Sequence, residues 1–336
     1  MAIIILIIVL FIYSEGGSFY WWSINTEMWS RFGSFMGAFL LSITILYQIQ
    51  AFRRQQIEAK FFELIKYYRD NVSEMRFKNP FFYKDNRNEF GDEYVEGRRF
   101  FKILFDQYKL AFRFINETYV CKENIFNTGP KDKMEWDAYK KTPEFKKEKI
   151  AIAYLLIYWG VAKDSEKDLK NSLSKTITNE NANRIYQDFR RIYAVYEINE
   201  FHVSNYFKLL NEQDSVDVLY SKERKGSTKF FGGHQYHLGH YFRHLYQAIN
   251  YIHKQPWWVL SNSAKYDYVK TLRAQMSNYE QAIFFLNSVT HLGSKWETKN
   301  RKLITKYNLV KNLPKNFIES IEVDCYYPKV DYEWNN

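Results

Sequence analysis

Two hydrophobic stretches without any charged residue open the chain, residues 1–13 and residues 32–49. The second is long enough for a helix to cross the hydrocarbon core of a bilayer, whereas the first would rise only about 20 Å at ~1.5 Å per residue. The first stretch also lacks the basic start and the small-residue cleavage site of a signal peptide. We therefore predict a transmembrane helical hairpin. The alternative is a single span over 32–49, preceded by an interfacial segment.

The residues around these stretches predict their orientation. Between them lie four aromatic residues of the kind that favours membrane interfaces: Tyr20, Trp21, Trp22 and Trp29. Arg53, Arg54 and Lys60 follow the second stretch, and basic residues beside a span favour the inner side of the membrane. The sequence thus predicts a two-pass protein of the bacterial inner (plasma) membrane, with the lipid bilayer as a partner. Residues 1–50 are predicted to form the anchor, and residues 51–336 are predicted to form a cytoplasmic domain.

The cytoplasmic part has helical periodicity almost throughout. Helices are predicted over 94–120, 150–162, 181–210, 234–254 and 264–291, and polar, turn-rich loops over 79–92, 127–148 and 211–233. The uncharged stretch 150–162 is short, so it predicts a buried core helix rather than a third span. Because no alternating strand pattern is found, the predicted fold class is all-α: the membrane hairpin, then a multi-helix cytoplasmic domain.

Residues 57–75 carry a heptad-like seam directly after the second hydrophobic stretch. Its apolar members are Phe61, Ile65, Tyr68, Val72 and Met75. Spacings of three and four residues are typical of a helix with one buried face. The seam predicts either a stalk through which a homo-oligomer forms or a helix packed on its own domain.

Charge and composition restrict the class of protein. The net charge is +10, and residues 1–52 hold only Arg31, Glu15 and Glu27, which leaves +11 on the remaining residues. That surplus fits a body working beside anionic lipid or nucleic acid. The aromatic content of 19%, with only 13 Gly and 6 Pro, excludes a disordered chain, and two Cys cannot form a disulfide scaffold.

Common catalytic motifs are absent from the sequence. It contains no GxxxxGK[ST], GxGxxG, GxSxG, CxxC or HExxH pattern, which disfavours nucleotide hydrolysis, dinucleotide redox chemistry and the common hydrolases. No cofactor is predicted. None of the seven His follows an Arg after four to six residues, the spacing that helical toxin ribonucleases use.

Four of the seven His lie within residues 234–244: His234, His237, His240 and His244. On a helix the last three share a flank beside the apolar seam. Their spacing suits a metal such as Zn²⁺, but no Asp, Glu or Cys in this segment completes a ligand set, so a metal site is not predicted. Two interpretations stay open. The His either pack and hydrogen-bond within the fold, or they form a proton-transfer or anion-binding site with Arg243 as charge partner.

A second polar group lies on the next predicted helix, where Arg273, Ser277 and Glu280 share a flank. The short connection around Pro256 makes this helix an antiparallel neighbour of the His-rich one. Arg243, His244, Arg273 and Glu280 are therefore expected to form one polar cluster, as either a buried structural network or a binding or catalytic site.

Three motifs in this region, LGHYFRHLYQ from residue 238, TLRAQMSNYE from residue 271 and LITKYNLVKNLP from residue 303, resemble the family of putative phage abortive infection proteins, akin to abortive-infection protein C. The resemblance covers about residues 234–328. Family-like positions are His240, Tyr241, Phe242, Arg243, His244, Arg273, Gln275, Ser277, Glu280 and Tyr307. It implies catalytic candidates at His240, Arg243, His244, Arg273 and Glu280, and binding candidates at Gln275, Ser277 and Tyr307. It implies anti-phage defence and no particular reaction.

The sequence thus predicts a membrane-anchored abortive-infection effector that senses a phage protein or RNA in the cytoplasm and shuts down the host cell. The alternative is a membrane-tethered ribonuclease, a HEPN-like helical toxin, that acts through His240, Arg243, His244 and Glu280.

Overall fold

The structure, a computed structural model, describes residues 26–80, 94–120, 125–126, 133–198, 231–318 and 321–335. The first hydrophobic stretch, residues 1–13, lies outside them. The chain forms two compact units, one comprising Met1–Phe62 and Gln255–Ser261, the other comprising Glu63–Lys254 and Asn262–Asn336. The described residues are mostly helical, which confirms the predicted class.

The helices are α1 (Thr26–Glu74), α2 (Arg99–Ile115), α3 (Lys133–Tyr139), α4 (Pro143–Trp159), α5 (Glu166–Leu173), α6 (Asn179–Ile198), α7 (Gln235–His253), α8 (Asn262–Arg273), α9 (Asn278–Ser288) and α10 (Leu303–Tyr307). A π-helical turn, Asn116–Val120, extends α2. Short 3₁₀ turns lie at Lys163–Ser165, His291–Gly293, Val323–Cys325 and Glu333–Asn335. Strands β1 (Arg76–Lys78) and β2 (Tyr94–Glu96) pair antiparallel, with Phe77 opposite Val95.

Helix α1 contains the second hydrophobic stretch and leaves its side chains uncovered. Its apolar residues from Phe35 to Phe52 are exposed, among them Leu41 and Leu46. The hydroxyl of Ser42 donates back to the carbonyl of Ala38, as Ser and Thr hydroxyls commonly do within helices. By length and composition, α1 is the one helix in the described part of the chain that could cross a membrane.

The seam at residues 57–75 is buried within the single chain. In the larger unit, Ile65, Tyr68, Val72 and Met75 are almost completely covered. Tyr68 packs its ring against that of Tyr241, with 5.5 Å between ring centroids. This is the packing of a helix on its own domain, the second of the two interpretations. Self-association of the chain through this seam stays a prediction.

The core of the larger unit lies where α2, α4 and α9 pack together. One face of α2 is buried, from Phe100 to Ile115. Residues Ile150 to Ile157 of α4 are also buried, as predicted for a core helix. Thr142 caps α4 by accepting a hydrogen bond from the backbone of Phe145, and Pro143 occupies the first turn, where no amide donor is needed.

Several predicted boundaries are wrong. The helix predicted over 94–120 begins with strand β2 and becomes helical only at Arg99. The loop predicted over 127–148 contains α3 and the first turn of α4. The helix predicted over 264–291 is broken into α8 and α9, because the backbone tightens into 3₁₀-type bonds after Leu272 and Ser277 then starts a new helix as its N-cap. Of the helix predicted over 181–210, the part from 199 onward lies outside the described residues.

Candidate functional site

The His-rich helix α7 is fixed at its start by a close backbone crossing with the end of α4. The amide of His234 donates to the carbonyls of Ile157 and Tyr158, at 3.1 and 3.0 Å. Gly160 and Gly233 meet at this crossing with positive φ angles of 74° and 92°. A Cβ on Gly160 would lie 2.4 Å from the backbone nitrogen of Gly233, so only glycine fits at this position.

His234, the first of the four clustered His, is a buried structural residue. Its Nε2 lies 3.3 Å from Nε2 of Gln107, whose Oε1 accepts from the amide of Phe231, so the Gln107 amide donates to the ring. Phe77 and Phe100 approach the imidazole edge-on. Burial, with a smaller contribution from His237, lowers the pKa of His234 to about 3, so the ring is neutral at pH 7.

The other three His line one flank of α7, as predicted. The rings of His240 and His244 lie 6.5 Å apart, and Tyr236 contacts both His237 and His240, at 5.6 and 5.1 Å between centroids. These four aromatic side chains, Tyr236, His237, His240 and His244, form what we call the ring row. Tyr236 is 73% exposed and the three imidazoles are half-buried, so the row faces solvent.

Two imidazoles of the ring row have pKa values below the ordinary value. Burial, and then the neighbouring His240, lower the pKa of His237. Burial, then His240 and Arg243, lower the pKa of His244. In the described residues, no group of three or more His, Cys, Asp or Glu is arranged to hold a metal ion. The three weak metal candidates, His237, His240 and His244, do not form such a group either.

Arg243 is the exposed charge beside the ring row. It makes no hydrogen bond or ion pair with any residue that the structure describes. Its positive charge also acts on Tyr158. Burial raises the pKa of Tyr158, and the charge of Arg243 lowers it. An uncompensated guanidinium next to neutral aromatic rings can bind an anion or stack on a planar group.

Glu280, in contrast, is completely buried at the start of α9. It forms a capping box with Ser277: the Ser277 amide donates to Oε2 of Glu280 at 2.7 Å, and the Glu280 amide donates to Oγ of Ser277 at 3.2 Å. The hydroxyl of Tyr68 donates to Oε1 at 2.8 Å. Arg98 supplies the compensating charge, with Nε 3.7 Å from Oε2.

Arg273 belongs to a different set of contacts, at the end of α8. It is 4% exposed, and one guanidinium nitrogen donates to the carbonyls of Tyr307 and Asn308, each at 3.0 Å. Asn308 adopts the left-handed conformation that ends α10, with φ of 50°. Arg273 thus satisfies carbonyls that a helix end leaves without intrahelical partners.

The predicted cluster of Arg243, His244, Arg273 and Glu280 is therefore not formed as an ionic network. In the described part of the chain, Glu280 pairs with Arg98 rather than with Arg243 or Arg273. The physical reason is the break after α8, which turns Glu280 into a capping residue and leaves Arg273 facing α10. Burying a second Arg beside Glu280 would also leave an unmatched positive charge.

The three binding candidates also take part in structural contacts. Ser277 is the N-cap of α9. The carbonyl of Gln275 accepts from Arg98 at 2.6 Å. The hydroxyl of Tyr307 lies 3.1 Å from Nδ1 of His253. Sequence reasoning did not connect Tyr68 and Arg98 with Glu280. The one local signal was the spacing of Ser277 and Glu280, which is that of a capping box.

A half-open cavity of about 530 Å³ lies beside the capping box. Its lining includes Tyr279, Phe105 and Phe317, together with Lys109 and Lys146. The three rings contact one another at 5.2 to 5.8 Å between centroids. Tyr279 lies between the two capping residues, Ser277 and Glu280, in the sequence. The capping box therefore fixes the position of one wall of the cavity.

Residues 233–318 match the family model described as putative phage abortive infection protein. This confirms the resemblance predicted from the sequence motifs. The match begins at the Gly233 crossing and includes the ring row, the capping box and Arg273. No curated protein matches the chain, and no solved structure matches it.

Within the abortive infection match, the described polar residues fall into two groups. Arg273, Ser277, Glu280 and Tyr307 hold helix ends and the core together. Arg243 and the ring row face outward, although His237 also contacts the ring of Phe100. This second group is accessible to another molecule.

Proposed function

We propose that this protein is a membrane-anchored abortive-infection effector whose cytoplasmic domain senses a phage product and shuts down the host cell without catalysing a reaction. The observation that carries the proposal is the composition of α1. One helix contains both the exposed apolar stretch from Phe35 to Phe52 and Tyr68, which bonds to Glu280 inside the family-matched segment.

The exposed apolar stretch supports the membrane part of the proposal. In water, a helix with this many uncovered Leu, Ile and Phe side chains would be unfavourable by roughly 25 cal/mol per Å² of apolar surface, so it requires an apolar environment. Arg53, Arg54 and Lys60 follow the stretch directly and favour a cytoplasmic position for the rest of the chain. In our proposal residues 1–13 form the other half of a two-pass hairpin.

The outward-facing part of α7 supports the sensing role. Arg243 and the ring row offer one exposed cation beside solvent-facing aromatic rings, a surface suited to a phage protein or to RNA. Catalysis by the alternative set His240, Arg243, His244 and Glu280 is disfavoured, because Glu280 is buried in its cap and already paired with Arg98. We therefore place the phage trigger at Arg243 and the ring row.

The anchoring test uses two exposed side chains of α1. Leu41 and Leu46 are 61% and 64% exposed, so Leu41→Arg with Leu46→Arg should leave the folded domain intact. Each Arg costs about 2.5–3.5 kcal/mol near the middle of a span. We expect this variant to leave the membrane fraction and to lose phage resistance, whereas Leu41→Ile with Leu46→Ile keeps both.

The readouts are membrane fractionation, phage resistance, membrane potential and total RNA, followed together after infection. Resistance that persists in a soluble, folded Arg variant would show that anchoring is not part of the function. Degradation of total RNA before any loss of membrane potential would favour the ribonuclease instead.

A further inference from the structure

Two adjacent tryptophans lie exposed on the turn that joins α7 to α8. Trp257 is 76% exposed and Trp258 is 58% exposed. Their rings are perpendicular to each other, with 6.0 Å between ring centroids. Trp is usually well buried, and neighbouring exposed aromatic side chains mark surfaces that meet something other than water.

The exposure of the two rings is built into the turn. The amides of Val259 and Leu260 both donate to the carbonyl of Pro256, at 3.1 Å. Leu260 is buried, so it holds the turn in place from the far end. Pro256 restricts the backbone where the turn begins. The indoles therefore point outward from an ordered turn, and the entropy cost of presenting them to a partner is small.

The turn shares its compact unit with the exposed apolar helix. Apart from α1 up to Phe62, the described residues of that unit are Gln255–Ser261. The continuous row of exposed apolar side chains on α1 runs to Phe52, Ile57 is the first buried side chain after it, and Phe62 is again 48% exposed. Five residues rise about 7.5 Å, close to the ~6 Å thickness of one headgroup layer. If the row lies in the hydrocarbon core, the segment between Phe52 and Ile57 lies at the level of the lipid headgroups, and the turn belongs to the same compact unit as that segment.

We propose that the Trp257–Trp258 turn is a second membrane contact, which inserts both indoles into the headgroup layer of an anionic bilayer on the side of the domain. This inference rests on the proposed anchoring by α1. Indole rings favour the interface because an apolar ring and an N–H donor suit its mixed polarity. Lys254 precedes the turn, and Arg53 and Arg54 lie exposed on α1 in the same unit, so the surrounding charge attracts anionic lipid.

The test places an environment-sensitive fluorophore on the turn of the full-length protein. The background is Cys121→Ser with Cys325→Ser, and Trp257→Cys carries the label. Lys167→Cys, on an exposed position of α5, carries it in the control. Both proteins are reconstituted into vesicles of phosphatidylcholine and phosphatidylglycerol in equal parts. Their fluorescence is measured with and without a lipid that carries a quencher at the headgroup.

We expect the label at position 257 to shift to the blue and to be quenched at least several-fold more than the label at position 167. Flotation of the vesicles reports anchoring separately. Protein that floats with an unshifted, unquenched label at 257 would overturn this inference and leave anchoring intact. Protein that does not float would overturn the anchoring itself. A blue shift without quenching would indicate a protein contact, which also overturns the inference.

Discussion

The hydroxyl of Tyr68 donates a hydrogen bond to the carboxylate of Glu280, 212 positions further along the chain, at 2.8 Å and completely away from water. The pair joins α1 to the capping box of α9. Burial, and then the charge of Glu280, raise the pKa of Tyr68 well above its ordinary value, so the tyrosine stays a donor over the whole physiological range. A buried carboxylate that loses a donor regains no water, so this contact should matter for stability.

Tyr68→Phe is expected to lower the free energy of unfolding by about 1–3 kcal/mol, because it leaves one carboxylate oxygen without its donor. Tyr67→Phe is the matched control. Tyr67 also bonds to a glutamate, Glu63, at 2.7 Å, but it is exposed, so its change should stay within about 0.5 kcal/mol. Urea unfolding of both variants in detergent gives the comparison, and equal losses would contradict the assignment.

The sequence predicted the position of Tyr68 but not its partner. Helical spacing placed Tyr68 on a buried face, because periodicity is a local property of the chain. Its partner Glu280 lies on a distant helix, and nothing in either segment records that contact. The ion pair between Arg98 and Glu280 was not predicted for the same reason, because the two residues lie far apart in the sequence.

The break between α8 and α9 shows how two local signals can compete. Apolar residues from Val269 to Leu286 follow steps of three and four, which predict one continuous helix. The sequence Ser277-Asn-Tyr-Glu280 predicts the start of a new one. The structure follows the second signal, and a new helix starts at the capping box. The box satisfies two backbone amide donors, which an apolar contact cannot do. The predicted clustering of Arg273 with Glu280 failed with the continuous helix on which it depended.

Arg273→Lys is expected to lower the free energy of unfolding by about 1–3 kcal/mol, since the shorter lysine side chain cannot place its ammonium where the guanidinium nitrogen bonds both carbonyls, and it loses the planar group over the Tyr266 ring. The loss should be local first, with faster hydrogen exchange over residues 303–309. Lys270→Arg, on an exposed position of the same helix, is the control and should change neither quantity. Unchanged stability with lost phage resistance would instead assign Arg273 to function.

Acidification is expected to destabilise the domain through His234. Its pKa is about 3 in the folded state and about 6.5 when unfolded, so the unfolded chain binds more protons between these values and stability falls as pH falls. The loss between pH 7 and pH 5 should reach about 2 kcal/mol from this residue, and His237 and His244 add to it in the same direction.

His234→Gln provides the check on this pH dependence, because glutamine offers Gln107 an acceptor and does not titrate. Between pH 6 and pH 5 the variant should lose about 1.2 kcal/mol less stability than the parent protein does. An identical slope in both proteins would show that His234 is not the group responsible.

The proposed topology is testable with a native cysteine. Cys325 is exposed, and in a Cys121→Ser background it is the remaining thiol of the chain. Burial, then Glu322, raise the pKa of this thiol, so labelling is best run at about pH 8. A membrane-impermeant maleimide should label Cys325 only after the inner membrane is opened. Labelling in intact spheroplasts would place the domain outside the cell and contradict the proposal.

Arg243→Ala is expected to abolish phage resistance while the protein accumulates and unfolds as the parent does. The reason is that Arg243 is exposed and makes no hydrogen bond or ion pair with the described residues, so its removal breaks nothing inside the fold and changes stability by no more than about 0.5 kcal/mol. Lys167→Ala removes an equally exposed charge outside the family-matched segment and should leave resistance intact. Phage challenge of the three strains, with unfolding midpoints measured on the purified proteins, decides the matter. Full resistance in the Arg243 variant would show that the sensing surface is not at the ring row. Equal loss of resistance in both variants would show that the net charge of the protein, rather than Arg243 itself, is responsible.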